Sequence, residues 1–382
     1  MSFQLLVACA ATDSDAKQLQ ELSDKVTSWP KFFNLAHQHG VLPLVYQTLK
    51  SHRINIPQPA IAMLTQLHTQ HVMHHMQMVA ELQKIIKVFE NANIKLVAIK
   101  GPILSMIAYG DVLSRQYLDL DFLVSEANIS SAAILLESEG YIFDKPTEFL
   151  HNNALLRAGK DVSCYNPKNG VKIELHWRLF ERRLLKHNEN DILHTLQQLK
   201  FENNNIHALC NEPQFLYLCI HGSKHYWERL EWVADIDRLV RYNDLNWEQL
   251  QQMTKTLHVN TMLLLGLGMA RRFFDTPLPI ALLKRITENT KVLHLIEKIC
   301  SNMLNTIQME VGDASEHMRR IASLADTRCD AWIQALRLAF SLKTGDVYTI
   351  NLPQSLHGLY YLIRPFRLGY GLIADKTHRH LN

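Results

Sequence analysis

The chain is predicted to adopt an α-rich α/β fold: a small mixed-sheet core set between a helical N-terminal layer and a long all-α C-terminal region. Three observations predict it. Apolar residues recur at helical spacing through most of the chain; short apolar runs bounded by turn residues are confined to about positions 92–182; and Gly (14) and Pro (12) are scarce for 382 residues, Gly falling well below the roughly 7% of average usage.

The elements follow in order. From Ala16 to about Asn91 the helical period is carried by Phe32, Leu35 and Ala36, and again by Val79, Leu82, Ile85, Ile86 and Phe89, which makes residues 1–91 a helical layer. The period breaks at Ile94–Ile99, an apolar run ending in Lys100-Gly101-Pro102 and followed by Ile103–Tyr109: strand, tight turn, helix. A second strand is expected at Leu118–Val124, a helix closed by Gly140 at Ile129–Gly140, and a third strand at Tyr141–Phe143. Asp161–Tyr165 and Val171–Trp177 flank the turn Asn166–Gly170 and read as a hairpin. Residues 92–182 thus form the sheet core, and 183–382 are expected to be helical, with breaks near 203–205, 275–279 and 345–353.

Composition narrows the function classes. Lys+Arg (40) against Asp+Glu (37) gives +3, too balanced for a general polyanion surface, so nucleic acid is not favoured as a partner. Six cysteines without CxxC pairs suggest neither a zinc ribbon nor a disulfide framework, and a reducing cytoplasm is the simplest home. Phe3–Ala11 is apolar but short and has no Lys or Arg before it, unlike a signal peptide. Apolar runs elsewhere fall short of a membrane span, so no transmembrane segment is expected. A GxSxG elbow, a Gx4GK[ST] loop and a GxGxxG fingerprint are all absent from the sequence.

The chemistry is concentrated in Arg115–Val124. On a strand, Asp119 and Asp121 project to one face while Leu118, Leu120 and Phe122 face the core. Two adjacent carboxylates repel unless a cation lies between them, and hard oxygen donors suit Mg²⁺ or Mn²⁺ carrying phosphates; a solvated strand edge is the alternative. Lys100-Gly101 offers a cation, close backbone approach and the amides of the next helix. Glu174, alternating with Ile173 and Leu175, is expected to point to the same face as the aspartates. Three acids on adjacent strands can hold two metals, the arrangement that stabilises in-line displacement at phosphorus.

In order and spacing, Lys100-Gly101, Arg115, Asp119-Leu-Asp121-Phe-Leu-Val, Gly140-Tyr141 and Glu174-Leu-His-Trp177 resemble the uncharacterised bacterial nucleotidyltransferase family of the DNA polymerase beta superfamily. Trp29–Leu44 and His221-Gly-Ser-Lys-His225, followed by Trp227, Leu230, Trp232 and Asp235, extend the resemblance over about residues 5–245. It implies metal-dependent transfer of a nucleoside monophosphate from an NTP, ATP first among them, to a hydroxyl acceptor, with pyrophosphate leaving. By position, Asp119 and Asp121 would ligate metal, Glu174 would complete the site or act as general base, and Lys100, Gly101 and Arg115 would meet the triphosphate. Pro102 departs from the Ser or Gly usual in the superfamily and removes an amide donor. Two other readings stand beside this one: a catalytically degenerate nucleotide- or partner-binding module, and a toxin-type enzyme that modifies tRNA. The acceptor is not legible; small hydroxylated molecules, RNA 3′ ends and protein hydroxyls all fit.

Further candidates carry alternative readings. His221 and His225 share a helix face and either contact substrate, ligate zinc or pack structurally. His176 shares the face of Glu174 as a base or substrate contact, or is simply a polar strand position. Asp235 touches substrate or pairs with Arg238 or Arg241. His68, His71, His74 and His75 form a helical cluster that reads as a solvated or interface face. Arg319, Arg320, Arg328, Arg337 and Lys343, with Arg364, Arg367, Lys376 and Arg379 in the tail, grip an anionic surface or pack within the protein or against a second copy, a homo-oligomer.

Overall fold

A computed structural model describes residues 2–145, 147, 150, 153–180, 196–304, 314–340, 347, 352 and 354–363. Lys343 and the basic tail from Arg364 onward lie outside the described residues. Helices α1 (Ser2–Ala10), α2 (Ala16–Ser23), α3 (Trp29–Gln38) and α4 (Leu42–Ser51) lead into α5 (Gln58–Asn91), a helix of 34 residues. Phe3, Leu5, Leu6, Cys9 and Ala10 of α1 are buried in the main core, so the apolar opening of the chain is a packed helix.

The expected strands are present. β1 (Val97–Ala98) is followed by α6 (Gly101–Tyr109), β2 (Leu120–Leu123), α7 (Ile129–Ser138), β3 (Ile142–Phe143), α8 (Asn153–Ala158), and the hairpin of β4 (Asp161–Tyr165) and β5 (Lys172–His176). The helical expectation for residues beyond 182 is corrected by β6 (Leu196–Phe201) and β7 (Asn204–Leu209), an antiparallel hairpin turning at Glu202, which has φ +52°. The break expected near 203–205 is therefore the tip of that hairpin and the start of β7. The seven strands run in the order β3-β4-β5-β2-β1-β7-β6, with β1–β7 and β2–β5 parallel and the other pairs antiparallel.

Alternation explains which sheet face is dry. Leu120 and Phe122 of β2 and Ile173 and Leu175 of β5 are buried against Met78, Leu82, Ile85 and Phe89 of α5 and Ala132, Ala133 and Leu136 of α7. Leu118 is instead 54% exposed, against expectation. The strand begins only at Leu120, and the period of two does not extend back into the preceding loop.

Beyond the sheet the described residues are mainly helical. Their helices are α9 (Asn211–Lys224), α10 (Leu230–Tyr242), α11 (Trp247–Leu257), α12 (Asn260–Phe274), α13 (Ile280–Thr287), α14 (Thr290–Leu304), α15 (Ala314–Leu324) and α16 (Arg328–Phe340). Helices α9–α15 share one core with α1–α4, and Trp227 is among its fully buried residues. The Trp227 indole fills space left by two glycines: a Cβ at Gly222 would lie 2.7 Å from the ring and one at Gly266 3.0 Å. Tyr226 and Trp227 both adopt positive φ (52° and 51°), which turns the chain sharply between α9 and α10. Gly40 has a similar purpose: at φ +72° it lets the Glu231 carboxylate lie where its Cβ would stand, 1.7 Å from Oε2. Among the described residues, no helix is long and apolar enough to cross a membrane, and all six cysteines are free thiols.

Candidate functional site

The register of the two central strands builds the site. Parallel pairing sets Asp121 opposite Glu174, and Leu123 opposite His176, so Asp121, Glu174 and His176 project from one face. Their donor atoms lie within 4.8 Å of one another. His176 Nε2 is 3.3 Å from Asp121 Oδ1 and 3.4 Å from Glu174 Oε2. Asp121 and His176 are 3% and 1% exposed, so neither is a solvated strand-edge position. Lys100, which ends the β1 segment, reaches across with Nζ 3.0 Å from Asp121 Oδ1. Burial opposes ionisation of Asp121, but the Lys100 ammonium and the His176 imidazole overcome it and hold the carboxyl well below the usual range. Glu174 is drawn down by its hydrogen bond from His176. Asp119 moves the other way: burial, then the neighbouring Asp121 charge, pushes it up to about 6.

These side chains line one cavity of about 400 Å³, within the range of small-molecule pockets. Its walls include Lys100, Gly101, Arg115, Asp119, Asp121, Glu174 and His176 from the sheet side and His221 and His225 from α9 and its end. Gly101 opens α6 at φ +61°, a conformation that favours glycine, while Pro102 stands in the first turn of the helix, where one amide is thereby missing. The rings of His221 and His225 are tilted to each other, with centroids 4.7 Å apart, and both adjoin Trp232. Burial and the Lys100 charge keep His221 neutral, its pKa well below the ordinary imidazole value. Among the described residues, the histidine pair joins no cluster of three or more metal donors.

Asp235 is not among the residues lining the cavity. It is fully buried behind Arg115, accepting from Arg115 Nε (3.0 and 3.1 Å) and from the Tyr109 hydroxyl (2.8 Å). Its partner is thus neither Arg238 nor Arg241; Arg241 instead pairs with Asp237, Nε to Oδ1 at 2.8 Å. Arg115 is 5% exposed, and its guanidinium also lies 3.8 Å from Glu231 Oε1. Two acids on α10 thereby hold the guanidinium that the resemblance would give to triphosphate.

The loop before β2 is pinned along its length. The Arg115 amide donates to Ser105 Oγ (3.2 Å), Gln116 Nε2 to the His37 carbonyl (3.2 Å), and the Tyr117 amide to His75 Nε2 (3.1 Å). His75 Nδ1 in turn donates to the His71 carbonyl (2.9 Å), so both ring nitrogens are used by a neutral imidazole. His71 bonds the Leu113 carbonyl through Nε2 at 2.8 Å. His71 and His75 therefore anchor the loop to α5, where a solvated or interface face was expected.

Several residues of the site carried no readable motif. Lys160 pairs with Asp161 at the start of β4; burial and the nearby Lys224 charge lower its pKa to about 8. Glu231 is raised to about 7 by burial, against the pull of Arg115 and Arg229, the latter 3.0 Å away. Tyr217, Lys224, Arg229 and Trp232 complete the helical wall. Only the flanking matches, Ala36–Leu44 and His221–Asp235, hinted at this wall. The structure joins those two segments: the Glu231 amide donates to the His39 carbonyl (3.0 Å) and the Leu230 amide to His39 Nδ1 (3.3 Å).

Comparison with known proteins supplies the family. The family described as uncharacterised nucleotidyltransferase matches residues 25–275, a span that takes in the acidic strands, the pinned loop and the helical wall. The chain belongs to this family. No curated protein and no solved structure matches this chain. Family membership supports nucleotidyl transfer in general and implies an NTP substrate.

Proposed function

We propose that the protein is a metal-dependent nucleotidyltransferase that moves a nucleoside monophosphate from an NTP, ATP first to be tested, to a hydroxyl acceptor. The observation that supports it is the Asp121–Glu174 pair, set side by side by strand register below the start of α6, in a chain of this family. The donor set fits a divalent cation. Burial, and then the neighbouring Asp121 charge, pushes Asp119 up, and the charge repulsion is a cost that a cation would relieve. Asp121 and Glu174 would hold it, with Asp119 from the adjoining loop. Bound there, a divalent cation supplies charge neutralisation to the phosphates and to the pyrophosphate leaving group.

This chain's own residues do the rest. Lys100 neutralises Asp121 and stands at the mouth of α6, where phosphate oxygens would meet its ammonium and the helix N-terminus. Arg115 positions the Asp119 loop through its two carboxylate partners, and its charge adds to the cavity's potential. Glu174, less buried than Asp121, is placed to accept the acceptor's proton when it is not ligating. A second reading, a nucleotide-binding module without chemistry, is favoured by Pro102, which removes one phosphate-facing amide.

Calorimetry with each NTP, with Mg²⁺ and with EDTA, tests the proposal. Wild type is expected to bind at least one NTP only with metal, and the Asp119→Ala/Asp121→Ala variant to lose that binding. Labelled NTP should then pass label to an acceptor in an acceptor screen. Metal-dependent binding without transfer to any acceptor would favour the silent module, and no binding of any NTP would overturn both readings.

A further inference from the structure

We infer that His176 is a direct ligand of the catalytic cation, steered by Asp161, and that the site therefore takes a divalent transition-series ion such as Mn²⁺ in preference to Mg²⁺. The inference rests on the metal-dependent reading above and deepens it: acids alone would leave the choice of cation to hard oxygen donors.

The geometry comes from three neighbouring strands. On β5, Glu174 and His176 are two residues apart and share a face; on β2, Asp121 lies beside Glu174. Nε2 of the buried imidazole lies 3.3 Å from one carboxylate oxygen and 3.4 Å from the other, so all three donors converge on one point. On β4, Asp161 is the register partner of His176, and its Oδ2 lies 3.6 Å from His176 Nδ1. A carboxylate behind the far ring nitrogen is the arrangement that fixes the tautomer and orientation of metal-bound histidines. Lys160 Nζ, paired with Asp161 and 3.5 Å from Nδ1, completes the surroundings of that nitrogen.

The chemistry follows from the donors. Facing two carboxylates, Nε2 is the proton donor as the molecule stands; a cation between Asp121 and Glu174 takes the place of that proton, and Nδ1 carries hydrogen toward Asp161 instead. Imidazole nitrogen is a poor partner for Mg²⁺, which demands oxygen and retains water, whereas affinity for a mixed nitrogen and oxygen site rises along the first transition series from Mn²⁺. Two carboxylates supply the oxygen donors that suit Mn²⁺, and the one imidazole adds a nitrogen donor whose affinity grows along the series that Mn²⁺ begins.

Mn²⁺ titrated into the full chain, followed by electron paramagnetic resonance of free and bound ion, tests this without reference to turnover. Pulsed measurements on bound Mn²⁺ should show the coupling of a directly ligated imidazole nitrogen. In His176→Gln that coupling should vanish, and Mn²⁺ affinity should fall about 10-fold or more while Mg²⁺ affinity, measured by competition, changes less. Asp161→Asn, at a site about one-third exposed, should keep the coupling and weaken Mn²⁺ by about 10–100-fold; it carries the test if His176→Gln does not fold. Mn²⁺ bound with oxygen ligands only, or a nitrogen coupling that survives in His176→Gln, or unchanged affinity in Asp161→Asn, would overturn the inference while leaving the acidic metal site standing. No divalent cation bound by wild type would overturn the metal-dependent reading as well.

Discussion

Arg115 shows how a residue's neighbours decide its role. A guanidinium with two buried acid partners, Asp235 and Glu231, is a structural cross-link between the Asp119 loop and α10. Removing one partner strands a buried charge, so Asp235→Asn should destabilise the fold by about 3–5 kcal/mol in urea unfolding. The double change Arg115→Met/Asp235→Leu should recover much of that loss. If it also retains metal-dependent NTP binding, Arg115 acts by position; a stable double variant with no NTP affinity would return Arg115 to the phosphates.

At the scale of elements, the packing around Trp227 has little slack. Gly222→Ala forces a methyl to within 2.7 Å of the indole and should cost about 1–3 kcal/mol, visible as a lower urea midpoint. An unchanged midpoint would show that α9 can shift away from the ring. The attachment of α5 to the loop before β2 and of α3 to α10 depends on imidazoles held neutral: burial lowers His75 to about 3, and His71 and His39 to about 4. In the unfolded chain they take up protons near 6.5, so unfolding binds protons between those limits. Their contribution is full above that range and declines as pH falls from about 6.5 toward 4. Denaturant midpoints at about pH 7.5 and about pH 4.5 should therefore differ, and His75→Gln should narrow the difference.

The same elements show what a sequence can reveal. Asp121, Glu174 and the hairpin were legible because period-two alternation writes itself into consecutive residues. The β6–β7 hairpin was not: Leu196–Phe201 and Asn204–Leu209 are rich in Gln, Lys and Asn, and they are strands because β1 offers an edge. Asp161 as a partner of His176 is likewise a matter of cross-strand register, which no local pattern states. Glu231 was hidden because its environment is assembled from Gly40, Arg115 and Arg229.

Across the whole molecule, sheet and helices are not separable units. The cavity has one wall from the Lys100-Gly101 turn, the loop before β2, β2, β4 and β5 and the other from α9 and α10, and the main core mixes α1–α4 with the C-terminal helices. A fragment limited to residues 92–182 should therefore fail to fold cooperatively: it lacks β6, β7, the α5 cover and the partners of Arg115. Circular dichroism and a urea transition would check this, and a cooperative transition in the fragment would show the core to be autonomous.

The parallel pairing of β1 with β7 also bears on synthesis. Val97 aligns with His207, so the strand before the Lys100 turn leaves the ribosome long before the partner that closes its open side. Contacts of such high sequence separation form late and slowly. Until β7 emerges, the nascent chain carries an acid-bearing sheet with an uncovered edge, open to pairing with other chains. Assembly of the cavity is thereby tied to translation of β7 and the helices after it, and a ribosome stalled before that hairpin would hold a chain with Asp121 and Glu174 translated and the cavity they line not yet built.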